Sequence, residues 1–549
     1  MRDLIKRALF IVLIIGLSIN FVGCKPDKNI VPPHYDKVDG PDDNPNDEPT
    51  DEPEEEPVVL PKFDEFYLSS QINEEYITER AECVIAEDGS ISYDGSIKTL
   101  KPVYEGITLT PSFKVQEGIT VYVGDVEQKD GRSPQDLSQT VTYRLVDAEG
   151  NEAEYPVSLN FDYTGLPIVV IQTENGAPIV SKDDWLKATM LIEGGAEFDD
   201  FKKADISIAG RGNSTWGYDK KPYKIKLDSK AKVLGMPKHK RWVLLANYID
   251  KTMLRNDVSF YLGKQTSLPW TPRGYHVEVI INDVHLGNYY LCEQIKIDEN
   301  RVNIAEMDPG SDDVTGGYLM EMDTYHPDDD ETLFHSKYEF RTEVGTSRIP
   351  FKIKDPEAED LTDNQLNYIK GYIHDFEDAL FSDDWLDEEK GYKRYIDLDS
   401  FIDIYLVSEL IYHTEWQHPK SSYMHKDSNG KLVSGPMWDY DWTTFSTRTG
   451  WYCRECLWYP RMFEDPAFVA ELKEHWTLLY PKFRGAIDYM TKMKSKLAAS
   501  AEKNYAIWGE GMYGSPNGEG AMTFEQSVDK IIDRYTERIE WLNAEFNKL

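Results

Sequence analysis

Three things are scarce in this 549-residue sequence, and each shortage excludes something. Positive charge is the first. Lys and Arg number 60 against 98 Asp and Glu, a net charge of −38. Nucleic-acid binders need basic surface to displace counterions, so nucleic acid is excluded as a partner. The same balance argues against docking on anionic lipid head groups. Cysteine is the second: only Cys24, Cys83, Cys292, Cys453 and Cys456 occur. Cys453 and Cys456 form a CxxC pair, but a structural zinc site takes four ligands and no second pair exists. A local disulfide or two free thiols is the expectation there. Long apolar runs are the third. The run from Ala8 to Ile19 falls short of the roughly 20 residues that a membrane-spanning helix needs.

What that run fits is an export signal. Arg2, Lys6 and Arg7 flank its start, and Phe21-Val22-Gly23-Cys24 follows it. A basic start, a short apolar segment and a small residue thus come in order. The cysteine directly after Gly23 resembles the bacterial lipobox. That resemblance implies cleavage after residue 23 and lipidation of Cys24. The chain would then be a bacterial lipoprotein, held extracytoplasmically on the outer membrane or cell surface. Each buried CH₂ contributes roughly 0.8 kcal/mol, so several acyl chains hold a soluble domain at a bilayer. Residues 24–60 read as a tether. From Asp39 to Glu56 they are almost all Asp, Glu, Pro and Asn. Such a segment buries nothing that could offset the entropy of ordering, which predicts a disordered and extended stretch.

The remainder divides by periodicity. Residues 61–164 carry short alternating strands, such as Ile119 to Val123 and Val141 to Leu145. Asp147 to Asn151 reads as the turn into a strand from Tyr155 to Phe161. Strands about ten residues apart predict a small all-β sandwich, immunoglobulin-like and serving as a spacer. Residues 165–549 begin with a buried strand, Ile168 to Ile171, and mix strands and helices up to about residue 355. From Asn364 the period becomes helical, with Leu366, Ile369, Ile373, Phe376 and Leu380 on one face. Phe401 to Tyr412 is a second helix, and residues from Phe468 onward are mostly helical around a Gly-rich break at Gly509 to Gly520. The fold class is α+β.

Four clusters in this larger part carry chemistry. Arg211-Gly212-Asn213-Ser214-Thr215-Trp216 forms a turn that leads to Lys220-Lys221-Pro222-Tyr223-Lys224-Ile225-Lys226-Leu227. Alternation sends Tyr223, Ile225 and Leu227 to the core and Lys224 and Lys226 to the other face. Turn N–H groups beside lysines suit an anion, typically phosphate; they equally suit a solvated edge strand guarded by lysines. Next, Trp242 to Ile249 reads as a strand that enters a helix capped by Asp250. Third, the strand Gly287 to Glu293 ends on a carboxylate placed to pair a lysine of the first cluster. Fourth, Glu415-Trp416-Gln417-His418 precedes Trp438-Asp439-Tyr440-Asp441-Trp442. Asp439 and Asp441 share one side if extended, and such carboxylates suit Mg²⁺ or Mn²⁺. Beside Trp438 and Trp442 they could instead bind a sugar. His413, Glu415 and His418 lack the HExxH spacing of a zinc site.

Taken in order, these clusters resemble the CotH family of atypical, kinase-like proteins. The resemblance spans about residues 165–480 and includes Gly317-Tyr318-Leu319-Met320-Glu321 and Phe401-Ile402-Asp403. It implies a two-lobed protein-kinase-like domain that binds ATP with Mg²⁺ or Mn²⁺. Arg211, Lys220, Lys221 and Lys224 would meet nucleotide phosphate, and Glu293 would hold one of the lysines. Asp439, with Asp441, would hold metal, and Glu415 would be the base. The chain departs from the family pattern at that base. Glu415 stands where Asp is usual, and Lys420 and Ser421 stand where an Asn is expected. Two functions follow: a phosphotransferase acting on Ser or Thr hydroxyls, or a surface binding protein for a protein or glycan ligand that keeps the fold alone. No oligomer seam is evident, so a monomer is expected.

Overall fold

The computed structural model describes residues 59–549, apart from residues 75, 78, 96, 99–106, 163, 196, 310, 325–329, 343–344 and 515. The segment read as an export signal, Cys24 and nearly all of the stretch read as a tether lie outside the described residues. No helix among the described residues is long and apolar enough to cross a membrane. Helices and many strands are both present, as the α+β expectation requires.

The first segment is built from short strands around one aromatic core. Phe63–Leu68 pairs with Pro111–Val115, and Val141–Val146 pairs with Glu152–Ser158. Phe63 meets Phe66, Phe113, Tyr143 and Tyr155 edge-on, with ring centroids 5.2–6.3 Å apart. The turn falls where its residues indicate: Asp147 Oδ1 accepts from the backbone N–H of Glu149 and of Asn151.

Seven strands then close into a barrel, an architecture that periodicity alone did not disclose. They are β1 (Ile168–Thr173), β2 (Leu186–Glu193), β3 (Phe201–Gly210), β4 (Tyr223–Val233), β5 (Met236–Leu245), β6 (Gly274–Ile281) and β7 (Val284–Glu293). Their order is β1-β2-β3-β4-β5-β7-β6, and β1 pairs in parallel with β6 to close the ring. Alternate residues fill the interior: Ile171, Met190, Ile208, Ile225, Leu244, Val279 and Leu291. Tyr223, Ile225 and Leu227 point inward as predicted. Fully burying such a side chain contributes roughly 1.5–3 kcal/mol, so the period-two pattern specifies the register.

The outward face of β5 and β7 is apolar too. Val243, Leu245, Tyr290 and Cys292 join the largest core, shared with a five-stranded sheet and the helices. That sheet comprises β8 (Tyr318–Met322), β9 (Leu333–Thr342), β10 (Gly345–Asp355), β11 (Ser422–Lys426) and β12 (Leu432–Ser434), in the order β9-β10-β8-β11-β12. The helices longer than one turn are α1 (Arg255–Gly263), α2 (Asp363–Phe381), α3 (Leu398–Ile411), α4 (Pro466–Trp508) and α5 (Phe524–Phe546). Thr362 and Gln365 form a capping box at the start of α2, and Ile369, Ile373, Phe376 and Leu380 are fully buried along it. Asp397 caps α3 by accepting from Ser400 N–H, and Tyr412 ends it in the left-handed conformation.

Candidate functional site

A cavity of about 420 Å³ opens between the outer face of the barrel and the second sheet. The turn after β3 contributes Arg211 to Thr215, and β5 with its continuation contributes Val243 and Leu245 to Ile249. Glu321 and Asp323 come from β8 and its end, and Lys354 from β10. Glu415, Lys420, Ser421, Trp438, Asp439 and Asp441 also line it, as do Lys220 and Pro222. Residues more than 200 positions apart thus face one space. Its size is that of a pocket for a nucleotide-sized ligand.

The carboxylates dominate its electrostatics. Burial pushes the Asp441 carboxyl well above its ordinary range, and Asp439, Asp250 and Glu415 push it further, with Arg255 opposing. Three acidic neighbours therefore oppose charge on Asp441 at this end of the cavity. Glu415 has Lys420 Nζ at 3.8 Å and His413 Nε2 at 3.9 Å. His413 is buried, and burial lowers its pKa to about 4, so its ring is neutral at pH 7. Glu321 pairs with Lys354 at 2.9 Å. Asp323 Oδ2 accepts from Ser421 N–H at 3.3 Å.

Backbone strain concentrates here. Asn247, Met253, Ser421, Asp439, Thr443 and Phe445 all have φ between +46° and +65°. For L-residues this conformation costs roughly 1–2 kcal/mol each, less for Asn and Asp. Such strain gathers where a fold must aim particular side chains.

A buried scaffold beneath the cavity holds that strained segment. Asn256 Oδ1 accepts from Tyr440 N–H at 2.7 Å. Arg255 bridges Asp250 and Glu519, all three nearly inaccessible, and its Nε donates to the Thr444 carbonyl at 3.2 Å. Asn517 donates to the carbonyls of Ile249 and Asp441 at 3.0 and 2.9 Å and accepts from Thr443 N–H at 2.6 Å. The Gly-rich break between α4 and α5 is therefore a clamp on the Asp439–Asp441 loop. Nothing in its local composition signals this, because its partners lie some 75 to 270 residues away in sequence.

The structure brings together some of the expected site residues and separates others. Arg211, Lys220, Glu415, Asp439 and Asp441 line the cavity. Arg211 stacks over Trp438, with Cζ 5.4 Å from the ring centroid. Lys220 is buried. Its Nζ donates to the Asn288 carbonyl and, at 2.7 Å, to Asn504 Oδ1, and burial lowers its pKa to about 7. Lys221 is not in the wall: its Nζ donates to the Trp216 carbonyl at 2.9 Å. Lys224 leaves the wall as well, its Nζ lying 4.9 Å from the Trp185 ring centroid. Glu293 holds no lysine. It takes Arg273 in a two-pronged contact at 2.8 and 2.9 Å, with Arg301 at 4.0 Å. Alternation explains this, since Glu293 pairs with inward-facing Trp242, on the face opposite Lys224. Asp250 does not occupy the cap position of α1, which Leu254 fills, but its Oδ2 accepts from Arg255 N–H at 2.9 Å. Cys453 and Cys456 are buried free thiols. Burial keeps both well above the usual thiol range.

Among the described residues, no three His, Cys, Asp or Glu side chains form a metal cage. Mg²⁺ does not ask for one: it is held by one or two carboxylates plus water and substrate phosphates. Asp439 and Asp441 offer hard oxygen donors whose mutual repulsion a cation would relieve, so this donor set fits a hard divalent ion.

A barrel face, a second sheet and a helical core around a cleft of carboxylates and cations define the class of protein. A family profile described as CotH kinase protein matches residues 208–542, more than half of the chain, and the chain belongs to that family. None of the curated proteins compared with it matches.

Proposed function

We propose that this chain is a lipid-anchored, extracytoplasmic phosphotransferase that moves the γ-phosphoryl of a nucleotide to a Ser or Thr hydroxyl. Membership of the CotH kinase family supports the kinase-like part of that reading. The observation that carries it is one cavity lined by Asp439, Asp441, Glu415, Arg211 and Lys220. Anchoring at Cys24 on a bacterial envelope rests on the N-terminal residues alone.

In this reading Asp439 and Asp441 hold Mg²⁺ or Mn²⁺, which when bound neutralises phosphate charge. Arg211 and Lys220 add cationic charge at the phosphates. A protonated Lys220 is favoured by an anion beside it, which offsets the desolvation that lowers its pKa. Glu415 accepts the proton of the acceptor hydroxyl as its oxygen bonds to the γ-phosphorus and the bond to the nucleoside diphosphate breaks. Phosphoryl transfer asks for positioning and charge neutralisation, and the strained, clamped Asp439 loop supplies the former.

The test is thermal shift of the purified protein with ATP and Mn²⁺ or Mg²⁺. Stabilisation by several degrees, lost in Asp439→Asn, is expected. No stabilisation with any nucleotide–metal pair would remove the enzyme reading.

A second reading is a binding protein that keeps the fold without the chemistry. Lys420 favours it, because it lies 3.8 Å from Glu415 and lines the cavity where a cation would otherwise sit. Glycan or protein capture that depends on Trp438 or exposed Trp442, without nucleotide binding, would select it.

A further inference from the structure

Lys224 turned away from the cavity belongs to a different feature of the same barrel face. Register places Ala209, Lys224 and Val243 side by side on adjacent strands. The next row outward is Lys187, Ser207, Lys226 and Arg241. Val243 is also in the cavity wall, as are Pro222 and Arg211 one row in the other direction. The rows lie about 7 Å apart along the strands, with strands about 4.8 Å apart. A strip of cations therefore runs continuously out of the cavity, starting at Arg211 and leading away from Asp441.

Trp185 stands in the middle of the strip. Lys224 Nζ lies 4.9 Å and Arg241 Cζ 5.2 Å from its ring centroid, so the indole holds both cations in place. Among the described residues, no carboxylate lies within ion-pair distance of Arg211, Lys187, Lys224, Lys226 or Arg241. Burial disfavours a proton on Lys224 and Asp183 favours it, while Arg241, Arg211 and Lys182 add repulsion; Glu357 acts likewise in favour of charge on Arg241. In a chain of net charge −38, these five cations share one face without a close ion-pair partner among the described residues. That arrangement fits an anion that arrives from outside.

We propose that this strip binds an acidic segment of the polypeptide acceptor, extended along the barrel face, so that the adjoining Ser or Thr enters the cavity toward Glu415. The proposal names the acceptor class and rests on the phosphotransferase reading for that last step. A long polyanion such as nucleic acid fits poorly, since the acidic remainder of the surface repels whatever extends beyond the strip. A short run of Glu or Asp among uncharged residues can be confined to the cations of the strip.

The experiment is fluorescence anisotropy with the full-length chain. Its probe is a short fluorescein-labelled peptide of alternating Glu and Ser, with the Gln-for-Glu peptide as control. The Glu peptide is expected to bind more tightly than the Gln peptide, and to weaken as salt is raised. The double variant Lys224→Ala/Arg241→Ala should bind it about tenfold more weakly, the sum of two partly exposed ion contacts. The single variant Lys226→Glu, on an exposed residue, should weaken it with an unchanged melting temperature. Equal affinity for the two peptides, or an unaltered affinity in the variants, would overturn the proposal. So would loss of nucleotide-dependent stabilisation in the variants with peptide affinity intact, which would assign the strip to the nucleotide. Tighter binding of a single-stranded oligonucleotide through the same residues would overturn it as well. Because binding is read without nucleotide, an absent phosphoryl transfer would sink only the enzyme reading and leave this result legible.

Discussion

Replacing Arg255 by Met should destabilise the protein strongly and in a pH-dependent way. Arg255 is 1 % exposed and bridges Asp250 and Glu519, which are 0 % and 1 % exposed. Met fills much of the aliphatic volume but leaves two buried carboxylates without their cation. Removing one partner of such a pair costs about 3–5 kcal/mol, mainly as uncompensated buried charge. The entropy of unfolding is about 2.1 cal/mol/K per residue, hence about 0.7 kcal/mol/K over the matched family region, and the melting temperature should fall by about 4–7 °C. The sign of the pH effect follows from linkage. Burial already raises the Glu519 pKa against the pull of Arg255. Without the guanidinium, the folded-state pKa of Glu519 rises further above its unfolded value. The deficit is then full above the folded pKa and shrinks as the pH falls through it. Calorimetry or urea unfolding of both proteins at about pH 7 and about pH 5 measures this. A loss below about 1 kcal/mol, or a deficit that does not shrink on acidification, would refute the view that Arg255 neutralises the floor of the site.

Three further outcomes are expected. Asp439→Asn should retain near wild-type stability while losing nucleotide–metal stabilisation. Asp439→Ala should lose that and melt lower, since Asn tolerates the positive φ of 65° and Ala pays roughly 1 kcal/mol there; equal melting of the two variants would show that the loop is not strained. Lys220 has its pKa lowered to about 7 in the fold, so it disfavours folding when charged. Stability should therefore rise between pH 7 and the unfolded lysine pKa of about 10.4, and Lys220→Met should remove that rise in urea midpoints. His475 Nδ1 donates to Asp403 Oδ1 at 2.9 Å, and that bond, its largest cause, raises its pKa. Its contribution is full below the unfolded pKa of about 6.5 and is lost as the pH rises through the folded value. His475→Gln should accordingly cost stability at about pH 5.5 and almost none at about pH 9, and an equal loss at both would contradict the pairing.

Much of the local structure was legible in the sequence. The alternation of Tyr223, Ile225 and Leu227 placed the lysines of that strand on the other face, and the spacing of Ile369, Ile373, Phe376 and Leu380 located α2. These readings work because a side chain's direction relative to its own backbone has a fixed period in each regular element. The pair Asp439 and Asp441 could be singled out on composition, as two carboxylates two residues apart, although Asp439 has a φ of 65° and the segment is not the extended strand that would align them by period.

What lies on the far side of each face was decided only in three dimensions. The closing pair between β1 and β6 joins Ile168 to Glu278, and that choice turned a run of strands into a barrel with an inside and an outside. Once it closed, Lys220 went into the wall of the cavity, Lys221 to the Trp216 carbonyl and Lys224 to Trp185, although the three share one short stretch of sequence. Glu293 found Arg273 rather than a lysine because it lies on the Trp242 side of its strand. Asn517 and Glu519 reached the Asp439 loop through the packing of α4 and α5, which no local pattern records. Sequence by itself determines which residues share a face; the partner across that face is set by long-range packing, whose free energy depends on the whole fold and not on the neighbours in the chain.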